Sequence, residues 1–336
     1  MTMSERENVY DVLVVGSANA DLTVRVDRRP GAGETVLGTD LVESAGGKGA
    51  NQAAAAARLG ARTALLARVG DDAFGELLLD GQRAAGADVR HVRVEKGART
   101  GTAMIFVGPD GDNTIVVSPG ANARLSPADV AEAREVVAAS AVVSLQLEVP
   151  PETVRAAVAV ARETGTRVVL NPSPTPPELA PALLTAADPL VVNEHEARQL
   201  SGLTGGGPEE WARALRERGA RSVVVTLGGD GALVLDGAPG TGARAGRAAA
   251  PDADPGAEPA TDEAVRVPGV RVKAVDTTGA GDAFTGALAT RLARGASLAG
   301  AARYAVRVGA ASVTRAGAQP SYPAEEELPD GEGPFV

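Results

Sequence analysis

The chain has 336 residues, 44% hydrophobic and 23% charged, a composition that suits a globular protein large enough to enclose a substrate. Forty-three acidic residues against 33 basic ones give a formal charge of −10, so neither nucleic acid nor an anionic membrane is an expected partner. The absence of cysteine and the presence of only two histidines exclude disulfides, thiolate nucleophiles and Cys/His zinc sites. The chemistry must run on carboxylates, amides, hydroxyls and backbone groups.

Residues 1–11 are charged and lead into a short apolar run, which resembles neither a secretory signal nor a membrane anchor; a cytoplasmic protein is expected. That run, 9–15, is β-branched and ends at Gly16, the pattern of a strand buried on both faces. Similar runs recur at 63–69, 141–147, 167–170, 190–192 and 222–227. Stretches of helical period, such as 151–164 and 209–218, lie between them, and this alternation predicts a parallel sheet with helices on both faces. Two regions break the rhythm. Residues 21–42 and 92–118 read as short antiparallel strands, the second region turning at Pro109-Asp110-Gly111. They predict a small separate sheet, a lid built within about 18–45 and 92–118. Residues 238–264 are dominated by Ala, Gly, Pro, Asp and Arg, a composition expected of a flexible surface insertion. One domain over 9–322 is expected, with tails at 1–8 and 323–336.

The most informative segment is Asp276-Thr277-Thr278-Gly279-Ala280-Gly281-Asp282, followed by Phe284, Leu288 and Leu292 at helical spacing. A glycine-rich turn thus delivers a helix N-terminus, where unpaired N–H groups and the helix dipole suit developing phosphate charge. Asp282, in the first turn, can accept the proton of an attacking hydroxyl. Taken alone, the same turn favours an ordinary helix cap over a catalytic role, and only its surroundings change that balance. A second glycine-rich stretch, Gly46-Gly47-Lys48-Gly49-Ala50-Asn51, precedes an alanine-rich helix that Gly60 can terminate. It is not a Walker A loop, because Gly49 follows the lysine and Val42 stands where the first glycine belongs.

In this order, and some 230 residues apart, the two stretches resemble the paired signatures of the ribokinase family of carbohydrate kinases. The likeness runs from about residue 12 to 322, outside the insertion. It implies a ribokinase-like doubly wound α/β fold with a mostly parallel sheet, helices on both faces and a small β-sheet lid. It also implies ATP-dependent phosphorylation of a sugar hydroxyl, with Asp282 as general base and the N–H groups of Gly279, Ala280 and Gly281 as an anion hole.

By the same resemblance the sugar is held by Asn19, Ala20, Asp21, Gly47, Lys48, Gly49, Ala50, Asn51 and Glu148. The nucleotide is met by Asn193, by Thr226-Leu227-Gly228-Gly229-Asp230-Gly231 and by Gly281 and Asp282. Glu196 would help organise Mg²⁺ through water, and His195 beside it is read as a bystander. An activating K⁺ would take oxygens from Asp276, Thr278, Ser312, Arg315, Gly317 and Ser321. Val306 stands where the family commonly has a polar residue beside the adenine, so that contact should be apolar.

Asn19, Asp21 and Glu148 favour D-ribose, phosphorylated at its 5-hydroxyl. Deoxyribose, fructose and adenosine remain open as acceptors, as does a non-catalytic sugar-binding regulator on the same scaffold. A nicotinamide dehydrogenase is disfavoured, because 16–21 lacks the Gly-x-Gly-x-x-Gly spacing. Exposed lid edges suggest a homodimer joined through the lids.

Overall fold

The structure is a computed structural model that describes residues 9–109, 112–237 and 263–328. In chain order, its first strands are β1 (Tyr10–Val15), β2 (Asn19–Arg25), β3 (Val42–Gly46), β4 (Thr63–Gly70) and β5 (Val92–Glu95). Next come β6 (Gly101–Val107), β7 (Asn113–Ser118), β8 (Ser140–Leu145) and β9 (Arg167–Leu170). The last are β10 (Ala187–Asn193), β11 (Val223–Thr226), β12 (Gly231–Leu235) and β13 (Ala264–Pro268). Nine of them form one sheet in the order β13-β12-β11-β10-β9-β8-β1-β4-β5. It is parallel from β5 across to β11, and β12 and β13 close it as an antiparallel margin.

Successive side chains of a strand face opposite ways, so a strand covered on both sides must be apolar throughout. In β1, Val12 and Val14 enter one core while Leu13 and Val15 enter the other. The first core lies under the helices Lys48–Arg58, Ala280–Ala293 and Leu298–Ser312; the second lies under Pro151–Thr164, Glu194–Ser201 and Pro208–Glu217. This is the expected doubly wound α/β architecture.

With only 2% aromatic residues, the cores rely on close approach of small side chains. Ala53, Ala54, Ala55 and Ala56 are buried in the first core, and Ala55 and Ala56 meet the helix Ala280–Ala293 at Gly286. A Cβ at Gly286 would lie 2.8 Å from Ala55 Cβ and 2.7 Å from the Gln52 carbonyl oxygen, so only glycine lets these helices pack as they do. Their N-termini, which carry the two glycine-rich stretches, are thereby held side by side.

The remaining strands form a four-stranded sheet in the order β3-β2-β6-β7. Two readings of this region need correction. First, β2 and β6 run parallel, whereas antiparallel strands were expected throughout. No hairpin joins them: each begins where the chain leaves the large sheet, so they set off in the same direction. Second, Val92–Glu95 pairs with Ala67–Gly70 as the edge of the large sheet and takes no part in the small one. Its short alternating pattern suits either sheet, and only the position of β4 decides. At the end of the chain, Leu328 packs into the first core, so the expected tail from 323 begins within packed structure. The expected turn at 109–111 and the insertion at 238–264 lie outside the described residues, except for Pro109 and for 263–264, where Ala264 opens β13.

Candidate active site

The carboxyl ends of the parallel strands gather the polar motifs at one edge of the large sheet, where ligands of open α/β sheets bind. Gly47 caps the helix Lys48–Arg58 with φ 87°, and a Cβ there would meet the Asn19 nitrogen at 2.6 Å. Gly279 plays the same part for Ala280–Ala293, with φ 73°, and a Cβ would stand 2.4 Å from the Tyr322 hydroxyl. A side chain at Gly47 would drive that turn off Ala18 and Asn19, and one at Gly279 would drive its turn off Ala318 and Tyr322.

Asp282 lies in the first turn of the second helix and is 7% exposed. Its Oδ2 accepts from Asn51 Nδ2 at 3.0 Å and its Oδ1 from Gln52 Nε2 at 3.1 Å. Burial pushes its pKa above the usual carboxylate range, and Glu148 adds to this, while Lys48 and the two amides pull the other way. Lys48 keeps its charge: burial opposes it, but Asp282, Glu148 and Glu196 outweigh burial and raise its pKa.

Glu148 Oε2 accepts from the Ser17 hydroxyl and from the Lys48 N–H, which brings the ends of β8 and β1 against the first helix. Asn19, 2% exposed, accepts at its Oδ1 from Asn122 Nδ2 at 2.7 Å. Asp21 is buried against Gly46, and burial, then Glu148 and Asp282, push its pKa up to about 7. Asp21, Lys48, Asn51, Glu148 and Asp282 thus gather in one polar cluster of donors and acceptors, with Asn19 beside it against Gly47. Ala20, Gly49 and Ala50 are buried in backbone supporting it.

Two contiguous cavities open beside this cluster. The smaller, about 160 Å³, is lined by Lys48, Asn171, Asn193, Glu196, Gly279 and Asp282 among others. The larger, about 1090 Å³, is lined by Thr226, the turn Gly228 to Gly231, Arg266, Arg271 and Val306. Thr226, Thr277, Ala280 and Gly281 line both, so the helix N-terminus faces the junction. Leu227 is instead buried in the second core. The Ala280 N–H is taken by the Thr277 carbonyl at 3.2 Å; Gly281 and Asp282 have no backbone acceptor among the described residues.

Asn193 and Glu196 cap the helix Glu194–Ser201 reciprocally, each side chain accepting the other's N–H at 2.9 Å. His195 is exposed. Among the described residues, no group of three or more His, Asp or Glu side chains is placed to hold a metal.

Behind the active helix, Asp276 ties two loops together. Its Oδ1 accepts from Thr278 N–H and hydroxyl at 2.9 and 2.6 Å, and its Oδ2 from Gly317 N–H at 2.8 Å. Burial raises its pKa, but these bonds outweigh burial and hold it below the usual range. Ser312 and Ser321 donate to the carbonyls of Gly309 and Ala318, and the Arg315 side chain turns outward to Glu327. One carboxylate with hydroxyl and carbonyl oxygens is a donor set suited to a hard cation.

Sequence reasoning missed Ser17, Gln52, Asn122, Gln319, Arg266 and Arg271. Gln52 could have been found as the residue following a quoted motif. Asn122 and Gln319 gave no signal, because their partners lie 103 and 268 residues away.

A buried carboxylate beside an open helix N-terminus, between a cluster of polar side chains and a large cavity, defines a phosphotransferase acting on a hydroxyl acceptor. Residues 10–325 match the family model described as pfkB family carbohydrate kinase, and the chain belongs to that family. It is 36% identical over 330 residues to the ribokinase of Mus musculus, covering 97% of this chain and 95% of that protein. It is 35% identical over 321 residues to the deoxyribokinase of Salmonella typhi, covering 95% and 97%. The solved structure of Arabidopsis thaliana ribokinase complexed with ribose and ATP superposes with a TM-score of 0.80 at 30% identity, covering 94% of this chain and 96% of that one.

Proposed function

We propose that this carbohydrate kinase transfers the γ-phosphoryl group of ATP to the 5-hydroxyl of D-ribose, giving D-ribose 5-phosphate and ADP. The observation that carries the reading is the placement of Asp282, which bonds the polar cluster through Asn51 and also lines the cavity at the helix N-terminus. Asn19, Asp21, Lys48, Asn51 and Glu148 would hold the sugar, since amides and carboxylates in alternation match adjacent hydroxyls. ATP would lie in the larger cavity, its base near Val306 and its phosphates toward Gly228 to Gly231 and Gly281.

Asp282 takes the proton of the 5-hydroxyl as that oxygen bonds to the γ-phosphorus, and the bond to the bridging β–γ oxygen breaks to release ADP. The N–H groups of Gly281 and Asp282 and the Lys48 ammonium stabilise the charge on the transferred group. Ala280 would join them only by releasing Thr277. Mg²⁺ would supply phosphate neutralisation near Asn193 and Glu196, which line the small cavity. K⁺ would sit between the loops carrying Asp276 and Gly317, with oxygens from Thr278, Ser312, Arg315 and Ser321, and would stiffen the turn at 276–279.

The small sheet supports the expected homodimer. Its edge strand β7 exposes Ile115, Val116 and Val117, an apolar edge of the kind a second copy would cover. No described helix is long and apolar enough to cross a membrane, and a cytoplasmic location belongs to the same reading.

The test is ADP release with Mg-ATP across ribose, 2-deoxyribose, fructose and adenosine. Turnover on ribose above all others supports the assignment. Preference for 2-deoxyribose would move the chain toward its deoxyribokinase relative, and no turnover on any would remove the kinase reading.

A further inference from the structure

Asp282 is gripped by two consecutive residues of one helix, and only one of them keeps any exposed surface. Asn51 is 6% exposed; Gln52 is fully buried, so it can act only through Asp282. The orientation of the Gln52 amide is fixed from behind. Its Oε1 accepts from the Ser144 hydroxyl at 2.8 Å and from Gln146 Nε2, both on or just beyond β8, so its nitrogen must point at Asp282 Oδ1. Asn51 is held likewise: its Oδ1 accepts from Gln319 Nε2 at 3.0 Å, and Gln319 Oε1 accepts from Gln82 at 3.3 Å. A buried chain of amides therefore runs into the carboxylate from each side, and each carboxylate oxygen keeps a further lone pair for the acceptor hydroxyl.

We propose that Gln52 is a positioning residue for the phosphoryl-transfer step, using Ser144 and Gln146 as its anchor to lock the plane of the Asp282 carboxylate and to keep that carboxylate a base. The inference rests on the kinase reading above and adds a residue that never touches substrate. A side chain that merely filled the core would be replaceable by an apolar one of equal size. Here such a replacement frees one carboxylate oxygen inside a buried site and removes a donor that favours the ionised form. The charged and titratable groups facing Asp282 are Lys48, Glu148, Asp21 and Tyr322, none of which the replacement alters.

The test compares the parent protein with Gln52→Met, Gln52→Glu and Gln146→Leu, following kcat, both KM values and the pH profile of kcat/KM. The parent is measured first, and its failure to phosphorylate any sugar would refute the kinase reading rather than this one. In an active protein, Gln52→Met should lower kcat by roughly 10- to 100-fold with little change in KM for ATP, and move the acid limb of the profile to higher pH. Gln52→Glu should lose more, because an ionised carboxylate cannot donate to Asp282. Gln146→Leu should shift in the same direction by less, and it carries the test if Gln52→Met does not fold. A kcat and acid limb equal to the parent's in the folded variants would overturn the proposal.

Discussion

Asn51 Nδ2 stands 3.0 Å from Asp282 Oδ2, joining the first turns of two helices whose sequences are 231 residues apart. Each glycine-rich stretch begins one of these helices, and the small residues between the helices set the separation at which an asparagine can span the gap. The site is therefore a product of packing as much as of the motifs, and several consequences can be measured.

Asp282→Asn keeps the shape of the side chain and removes the base. Turnover should fall by about 10² to 10⁴-fold while calorimetry still detects sugar binding. Equal loss of binding and turnover would mean that the carboxylate serves affinity rather than proton transfer.

Asp21, pushed up to about 7, makes both stability and sugar affinity depend on pH. Its folded value lies above its unfolded value of 3.8, so the associated stability is full below about 3.8 and is lost as pH rises through about 7. Asp282, also raised, acts in the same sense, so the comparison must be with Asp21→Asn. That variant should gain unfolding free energy relative to the parent as pH goes from 4 to 8, on the order of a few kcal/mol, read by denaturant unfolding. The parent's KM for sugar should fall over the same rise, as Asp21 becomes a full acceptor.

Gly286→Ala adds one methyl where the facing helix leaves no room. Forcing the helices apart should cost about 1–3 kcal/mol in denaturant unfolding. Because the methyl meets the Gln52 carbonyl, turnover should fall as well. A variant as stable and active as the parent would show that the helices can slide.

Ile115→Lys places a charge on the exposed edge strand of the small sheet. If the lids pair, sedimentation should change from dimer to monomer while the melting temperature of the subunit stays nearly constant. A parent protein that sediments as a monomer would remove the dimer.

Replacing K⁺ by tetramethylammonium at constant ionic strength should lower kcat, and Asp276→Ala should be insensitive to the exchange. Asp276→Ala also removes two hydrogen bonds within its own turn and the one that ties it to Gly317, so a loss of stability of about 1–3 kcal/mol should accompany it. Equal rates in both salts would argue that Asp276 serves as a loop tie alone.

Much was legible in the sequence because it rests on neighbours in the chain. Runs such as 9–15 and 222–227 read as strands buried on both faces, and the turn at 276–282 reads as the start of a helix with Asp282 in its first turn; the structure has strands at Tyr10–Val15 and Val223–Thr226 and a helix from Ala280. These follow from side-chain alternation, glycine torsions and helix ends, which are local. The parallel pairing of β2 with β6, the transfer of Val92–Glu95 to the large sheet, and the contacts of Gln52, Asn122 and Gln319 were decided by tertiary structure alone. An amide carries no local preference for a partner a hundred residues away. What it bonds is set by the order of strands and by how closely alanine and glycine allow the helices above them to approach.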